Sequence, residues 1–224
     1  MNKLTELINK LQAGEKLTKI ELHYPNLDND DISLLLTEAL EGNETVTHIE
    51  LIGTNNEAAS ILARVLKNNN TVTHINLFNN KISDQGIISL TEALENNNNI
   101  IELNLHYNDI GDKGAIVLAQ FLANNKTIKK IDISLNNIGD EGIVQLVKAL
   151  TVNRTIKMIN FGYNNFTNAW IMEVLKVLET NTIVSIIQDD FVKDDESIII
   201  SPEVKLLSEA LEKHNIRVEM MNMV

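Results

Sequence analysis

Residues 71–98 read TVTHINLFNNKISDQGIISLTEALENNN, and two rhythms follow one another within them. Val72, Ile75 and Leu77 are apolar, while His74, Asn76 and Phe78 fall on the other side of the alternation, the period of a half-buried strand. An Asn-rich turn follows, then Asp-x-Gly, and the period changes. In the equivalent stretch of residues 127–154, Ile143, Leu146, Ala149 and Leu150 recur every three or four positions, which is one face of a helix. Asp84, Asp112 and Asp140 stand at the helix entrances, where a carboxylate satisfies orphan N–H groups and the helix dipole.

This strand–helix unit recurs. TVTHI stands at 45–49 and again at 71–75, and strand-like segments begin at residues 16, 45, 71, 99, 127, 155 and 182, in steps of 29, 26, 28, 28, 28 and 27. A fixed period of this size means stacked supersecondary units. No single unit can bury its apolar face alone, so stability comes from the interfaces between neighbours. The pattern predicts an α/β fold of about seven repeats over residues 16–188. A helical cap at 1–15 (Leu4, Leu7, Ile8, Leu11) should precede it. An irregular cap at 189–224, with an acidic loop, a helix and an edge strand, should follow.

Asn80, Asn108, Asn136 and Asn164 recur at one turn position, where an amide can pair the buried backbones of adjacent units through donor and acceptor alike. Pro25 and Thr54 hold that place in the first two units, so this structural Asn ladder should begin only at the third. Trp170 occupies the slot of Gly86, Gly114 and Gly142, where an indole cannot fit a glycine's space.

The segments LNLHYNDIGDKGAIVLAQFL (103–122) and IDISLNNIGDEGIVQLVKAL (131–150) resemble the leucine-rich repeat of the ribonuclease-inhibitor-like type. That resemblance covers roughly residues 16–190. It implies a curved solenoid with a parallel β-sheet on the concave face and α-helices on the convex face. A local resemblance is added by IELIGTNNEAASILARVLKNNNTVTHINLFNNKIS (49–83), which is similar to the start of the leucine-rich domain of tropomodulin, a family that caps actin filament pointed ends. It implies actin binding as an alternative to a generic protein partner. A third, the Ran GTPase activator, shares an acidic run, here at 189–196, and implies regulation of a GTPase.

Composition narrows the function classes. The chain has 19 basic and 31 acidic residues, a net charge of −12, which repels phosphate backbones and anionic lipid, so neither nucleic acid nor membrane is expected as a partner. There is no cysteine, hence no disulfide, thiolate zinc site or cysteine nucleophile. Neither a signal-like apolar segment nor a membrane-length run is present, which reads as cytoplasmic, with signal-independent delivery into a host cell as a variant. The Asn-, Ile- and Lys-rich composition fits a bacterial effector of that kind.

The strand residues outside the core form columns. Lys19, His48, His74, Glu102, Lys130, Met158 and Ser185 make one, and Glu21, Glu50, Asn76, Asn104, Asp132, Asn160 and Ile187 the next. His23, Ile52, Phe78, His106, Ser134, Gly162 and Asp189 make a third, and Tyr24, Gly53, Asn79, Tyr107, Leu135 and Tyr163 line the sheet edge. A smooth sheet with no nucleotide-binding, zinc-protease or serine-hydrolase motif predicts no enzyme activity, no cofactor and no metal site. The expected function is protein–protein interaction by a monomer whose C-terminal edge could pair with another chain. His74, Phe78, His106, Tyr107, Tyr163 and Trp170 are the candidate contacts. N-x-[ST] sequons at Asn43, Asn69, Asn125, Asn153 and Asn165 read as repeat grammar, not as glycan acceptors.

Overall fold

The computed structural model describes residues 6–7, 9–10, 13, 15–23, 29–54, 56–167, 172–173, 176 and 185–187. Strands and helices alternate through them: β1 (Lys19–His23), α1 (Asn29–Leu40), β2 (His48–Ile52), α2 (Asn56–Leu66), β3 (His74–Asn76) and α3 (Asp84–Leu94). They continue with β4 (Glu102–Asn104), α4 (Asp112–Asn124), β5 (Lys130–Asp132), α5 (Asp140–Val152), β6 (Met158–Asn160) and β7 (Ser185–Ile187). The strands form one parallel sheet in sequence order, each paired only with its neighbours in the chain. This is the leucine-rich-repeat solenoid that the period predicts. The C-terminal cap, Trp170, Tyr24 and Pro25, and all of the N-terminal stripe except Leu7, lie outside the described residues.

Each strand contributes its apolar positions to one layer. Ile20 and Leu22, Ile49 and Leu51, Ile75 and Leu77, Leu103 and Leu105, Ile131 and Ile133, then Ile159 and Phe161 are all essentially buried. The helices return Leu35, Leu36, Leu62, Leu66, Leu90, Leu94, Leu118, Leu122, Leu146 and Leu150 to the same core. Because Leu, Ile and Val do nearly all of this, the core is a stack of near-identical layers.

Three sets of polar residues tie the layers together. Asn108 Oδ1 accepts the N–H groups of Asn80 and Ile82 at 3.0 and 2.9 Å, while its Nδ2 donates to the carbonyls of Leu77 and Leu105, both at 2.9 Å. Asn136 and Asn164 repeat this one unit on, accepting from Ile110 and Ile138 at 3.0 Å each. Asn80 reaches back to the Leu51 carbonyl at 2.7 Å and accepts the Thr54 N–H at 2.7 Å.

The second set comes from the sequons. Asn69, Asn125 and Asn153 are buried, and each accepts two N–H groups at the start of the next strand. Asn97, which is not a sequon, does the same. Asn153 Nδ2, the atom a glycan would need, donates to Leu122 and Asn125 carbonyls at 2.7 and 3.0 Å.

The third set refines the expectation for the helix entrances. Asp84 opens α3 yet does not cap it; its Oδ1 accepts Gly111 and Gly114 N–H, at 2.7 and 2.9 Å, at the start of α4. Asp112 does the same for Gly139 and Gly142 at the start of α5, at 2.7 and 2.9 Å. Each helix N-terminus is therefore satisfied by the preceding repeat. A Cβ on Gly114 would lie 2.6 Å from Asp84 Oδ1, and one on Gly142 2.7 Å from Asp112 Oδ1. Glycine is needed at these positions because the neighbour's carboxylate lies against them.

Candidate binding face

The side of the sheet away from the helices carries the polar columns. Their register is set by backbone pairing: Lys19, His48, His74, Glu102, Lys130 and Met158 lie side by side, as do Glu21, Glu50, Asn76, Asn104, Asp132 and Asn160. Parallel neighbours about 4.8 Å apart bring the His48 and His74 rings into a stack, centroids 4.2 Å apart and 9° from parallel. Thr47 Oγ1 lies 3.2 Å from the Thr18 carbonyl and 2.8 Å from His48 Nδ1. The Thr18 carbonyl also accepts the Thr47 and His48 N–H groups at 2.9 and 3.2 Å, and which of Thr47 Oγ1 and His48 Nδ1 donates follows from the ring's tautomer. Thr73 and His74 repeat the arrangement.

At the β1 end the face is ionic. Lys19 Nζ is 2.5 Å from Glu21 and 3.0 Å from Glu50, and His23 Nε2 is 2.5 Å from Glu50. Burial raises the Glu50 carboxyl, but its hydrogen bonds from Lys19 and His23 outweigh that and leave it below the usual value of 4.5. His48 is shifted down from 6.5, by burial first and then by the charges of His74 and Lys19. Further on, Lys130 stands 3.7 Å and His74 3.9 Å from Glu102.

The face is not smooth, as the sequence reading expected. A shallow depression of about 240 Å³ lies over β2–β5, lined by His48, Glu50, His74, Asn76, Asn104 and Asp132 among others. It exists because Asn76 and Asn104 are short and fold back: their Oδ1 atoms accept the N–H of Phe78 and His106 at 3.1 and 2.9 Å. Among the described residues no three His, Asp or Glu side chains are arranged to hold a metal ion.

Four of the candidate contacts lie in the third and fourth columns. Phe78 stacks on His106, centroids 5.2 Å apart at 16°, and lies 6.1 Å from Tyr107. The edge column proved to be a column of left-handed turns: Gly53 (φ 69°), Asn79 (56°), Tyr107 (56°), Leu135 (51°) and Tyr163 (54°). Left-handed backbone costs an L-residue with a Cβ about 1–2 kcal/mol. Even so, Tyr107, Leu135 and Tyr163 hold it with large side chains 52, 38 and 40% exposed. Gly53 and Asn79 in the same column were the available sequence signal. His74 stands apart, stacked on His48 in the first column, and Trp170 lies outside the described residues.

Ser134 departs from its column. It was expected outward but is 1% exposed, with its Oγ donating to Asp132 Oδ1 at 2.5 Å and meeting His106 Nδ1 at 2.6 Å. Asn160 Nδ2 joins the cluster, 3.1 Å from Asp132 Oδ2 and 3.2 Å from Ser134 Oγ.

No curated protein sequence matches the chain. Among solved structures, the tropomodulin C-terminal domain of Caenorhabditis elegans is similar at 16% identity, over 95% of this chain and 93% of that one, with a TM-score of 0.49. Leiomodin-1 actin-binding site 2 is similar at 14% identity over 94% of this chain and 88% of that one, with a TM-score of 0.38. The family model of the TMOD/LMOD leucine-rich domain matches residues 57–194, more than half of the 224 residues. Of the resemblances read in the sequence, the local one that began in the second repeat names the family: this chain belongs to the tropomodulin/leiomodin leucine-rich domain family.

Proposed function

We propose that the chain is a protein-binding module without catalysis of its own, that it docks through the open sheet face and the ridge of turn residues, and that its partner is actin. The observation that carries the partner is the family match over residues 57–194, a family in which leiomodin-1 has an actin-binding site. The docking surface is inferred from the aromatic cluster of Phe78, His106 and Tyr107 with Tyr163 beyond it, the two tyrosines being large side chains left exposed in costly backbone. His74 extends this surface along the first column.

The non-catalytic reading rests on chemistry. A nucleophilic serine must be reached by its substrate, whereas Ser134 is 1% exposed. A protein surface also suits the charge, since −12 excludes polyanions as partners more readily than it excludes proteins. Among the described residues no helix is long and apolar enough to cross a membrane.

The test is filament growth from the pointed end, with barbed ends blocked, in the presence of the intact chain. Subunit exchange should slow in proportion to protein added, and the combined replacement of Phe78, His106 and Tyr107 by Ala should abolish the effect. Unaltered pointed-end kinetics, together with no co-sedimentation with filaments and no monomer binding, would rule actin out as partner.

A further inference from the structure

Among the four residues that close the turn from strand to aromatic column, Asn76, Asn104, Asp132 and Asn160, three are amides and one is a carboxylate. All four perform the same backbone task, accepting the N–H two residues on through Oδ1. An Asn at 132 would serve that turn equally well. What the carboxylate adds is negative charge beside Ser134 and a second acceptor, Oδ2, which takes a hydrogen from Asn160 Nδ2 at 3.1 Å.

An ionised carboxylate cannot donate, so the 2.5 Å contact fixes the Ser134 hydroxyl hydrogen on the Asp132 side. The 2.6 Å contact between Ser134 Oγ and His106 Nδ1 then has to be donated by the ring, so neutral His106 carries its hydrogen on Nδ1. Its Nε2, which has no partner among the described residues, is left as a bare lone pair. Stacking on Phe78 keeps the ring from turning away, and Tyr107 lies 6.5 Å off, tilted by 45°.

We infer that this cluster is a socket for one cationic side chain of a protein partner, with arginine its best fit. The inference rests on the open face being the docking surface. Each component independently favours a cation that donates hydrogen bonds. The Phe78 and Tyr107 rings offer negative faces to a guanidinium, His106 Nε2 accepts an N–H, and the Asp132 carboxylate lies 3.9 Å from His106 Nδ1. The other titratable groups in the adjoining columns and turns leave this unchanged: Glu102 is matched by Lys130 at 3.7 Å, and Asp109 and Lys81 in the turns are exposed to solvent. The chain around the socket carries −12. A carboxylate or a carbonyl of the partner would meet a lone pair and a negative charge instead. Ser134 and Asp132 are positioning residues, and His106 is the contact.

Two measurements test this on the intact chain. The first is the ¹⁵N spectrum of histidine-labelled protein, with His106 assigned by its loss in His106→Phe. A non-protonated Nε2 should dominate, and Ser134→Ala should move the ring toward the other tautomer, a change that a merely structural serine would not cause. The second is titration with a peptide of alternating arginine and glycine, against its glutamate counterpart. The arginine peptide should shift the resonances of Phe78, His106 and Tyr107, and the glutamate peptide should not. Affinity should fall roughly tenfold in His106→Phe, which keeps the ring stack but not the lone pair.

An Nε2-protonated ring in the parent would overturn the positioning argument. Arginine-peptide binding that is absent, or unchanged in His106→Phe, would overturn the socket, the unchanged case meaning diffuse attraction to an acidic protein. None of these outcomes touches the actin reading, which stands or falls on pointed-end kinetics.

Discussion

The two sides of the same strands obey different rules. On the buried side and in the turns the units are nearly copies. Asn80, Asn108, Asn136 and Asn164 make equivalent bonds, and the Asp84–Gly114 contact recurs as Asp112–Gly142. On the open side the first column varies most, running Lys, His, His, Glu, Lys, Met across six adjacent strands. A residue whose partners lie in the next unit must match them, so the unit-to-unit interface enforces repetition. The contacts between units on the open face, such as His48 on His74, Lys130 with Glu102 and His106 with Ser134, join unlike partners and do not recur, so stacking leaves these positions freer to vary. Substitutions on the two sides should therefore report on different quantities, folding on one and binding on the other.

The largest folding effect should come from the Asn ladder. Replacing Asn108 by Ala removes the acceptor for Asn80 and Ile82 N–H and the donor to Leu77 and Leu105 carbonyls, all in buried surroundings. With each stranded buried group costing about 1–3 kcal/mol, a loss on the order of 4 kcal/mol in urea unfolding is expected. Because Asn108 joins two units, the loss should appear in a single cooperative transition. A cost like that of an ordinary surface change would mean that the ladder is not what couples the repeats.

Next comes the carboxylate–glycine contact. Gly114→Ala places a methyl 2.6 Å from Asp84 Oδ1, 3.0 Å from Ile110 Cγ2 and 3.1 Å from the Asp84 backbone, and should cost about 1–3 kcal/mol. Asp84→Ala strands the N–H groups of Gly111 and Gly114 and should cost about 1–2 kcal/mol. In the double variant the methyl no longer meets the carboxylate, so the costs should sum to less than their total. Strict additivity would show that the two residues do not act as a pair.

Much of this was readable before any coordinates, because a repeat allows each position to be compared with its equivalents. The strand register follows from aligning 16, 45, 71, 99, 127 and 155, and the pairing of Lys19 with His48 and His48 with His74 is that alignment in space. What could not be read has specific causes. The period places Asp84 at the start of its own helix, but only the stacking offset shows that its carboxylate serves the next one. Left-handed backbone is announced by Gly53 and Asn79 but not by Tyr107, Leu135 or Tyr163, whose side chains argue against it. Asn69 and Asn153 read as turn grammar, but the N–H groups their side chains accept are set by the folded turn and not by the motif. Alternation sent Ser134 outward, yet it is buried, with the His106 ring hydrogen-bonded to it at 2.6 Å. The depression appears only once Asn76 and Asn104 are seen folding back on their own turns.

On the open side, Tyr107→Asn separates folding from binding at one residue. Asn79 already occupies the equivalent turn with φ 56°, as Tyr107 does. Asn tolerates left-handed backbone better than Tyr, so stability should hold or rise by up to about 1 kcal/mol. Binding of the partner should weaken, because the side chain removed is half-exposed and beside Phe78 and His106. A melting temperature lowered together with an unaltered affinity would place Tyr107 among the residues that hold the fold.

The smallest expected effect concerns His48, where the two sides meet in one residue: its Nδ1 is tied to Thr47 and its ring faces the open side. Burial, the neighbouring His74 and the Lys19 ammonium hold it below 6.5 in the folded chain. The unfolded chain therefore takes up this proton first as pH falls. The contribution of His48 is complete above 6.5, drains away between 6.5 and its lower folded value, and is constant below that. Glu50, whose folded value lies under 4.5, acts in a separate and more acidic window: its contribution is present above 4.5 and is lost as pH falls through the folded value. Urea midpoints measured through the upper window should decline on acidification, and His48→Gln should make that decline shallower while leaving the acidic limb in place. Solvent reaches much of the ring, so the change in slope is small. If His48→Gln leaves the upper slope unchanged, the stacked pair does not govern titration on this face; if it flattens only the acidic limb, Glu50 and not His48 reports on the packing of the first three strands.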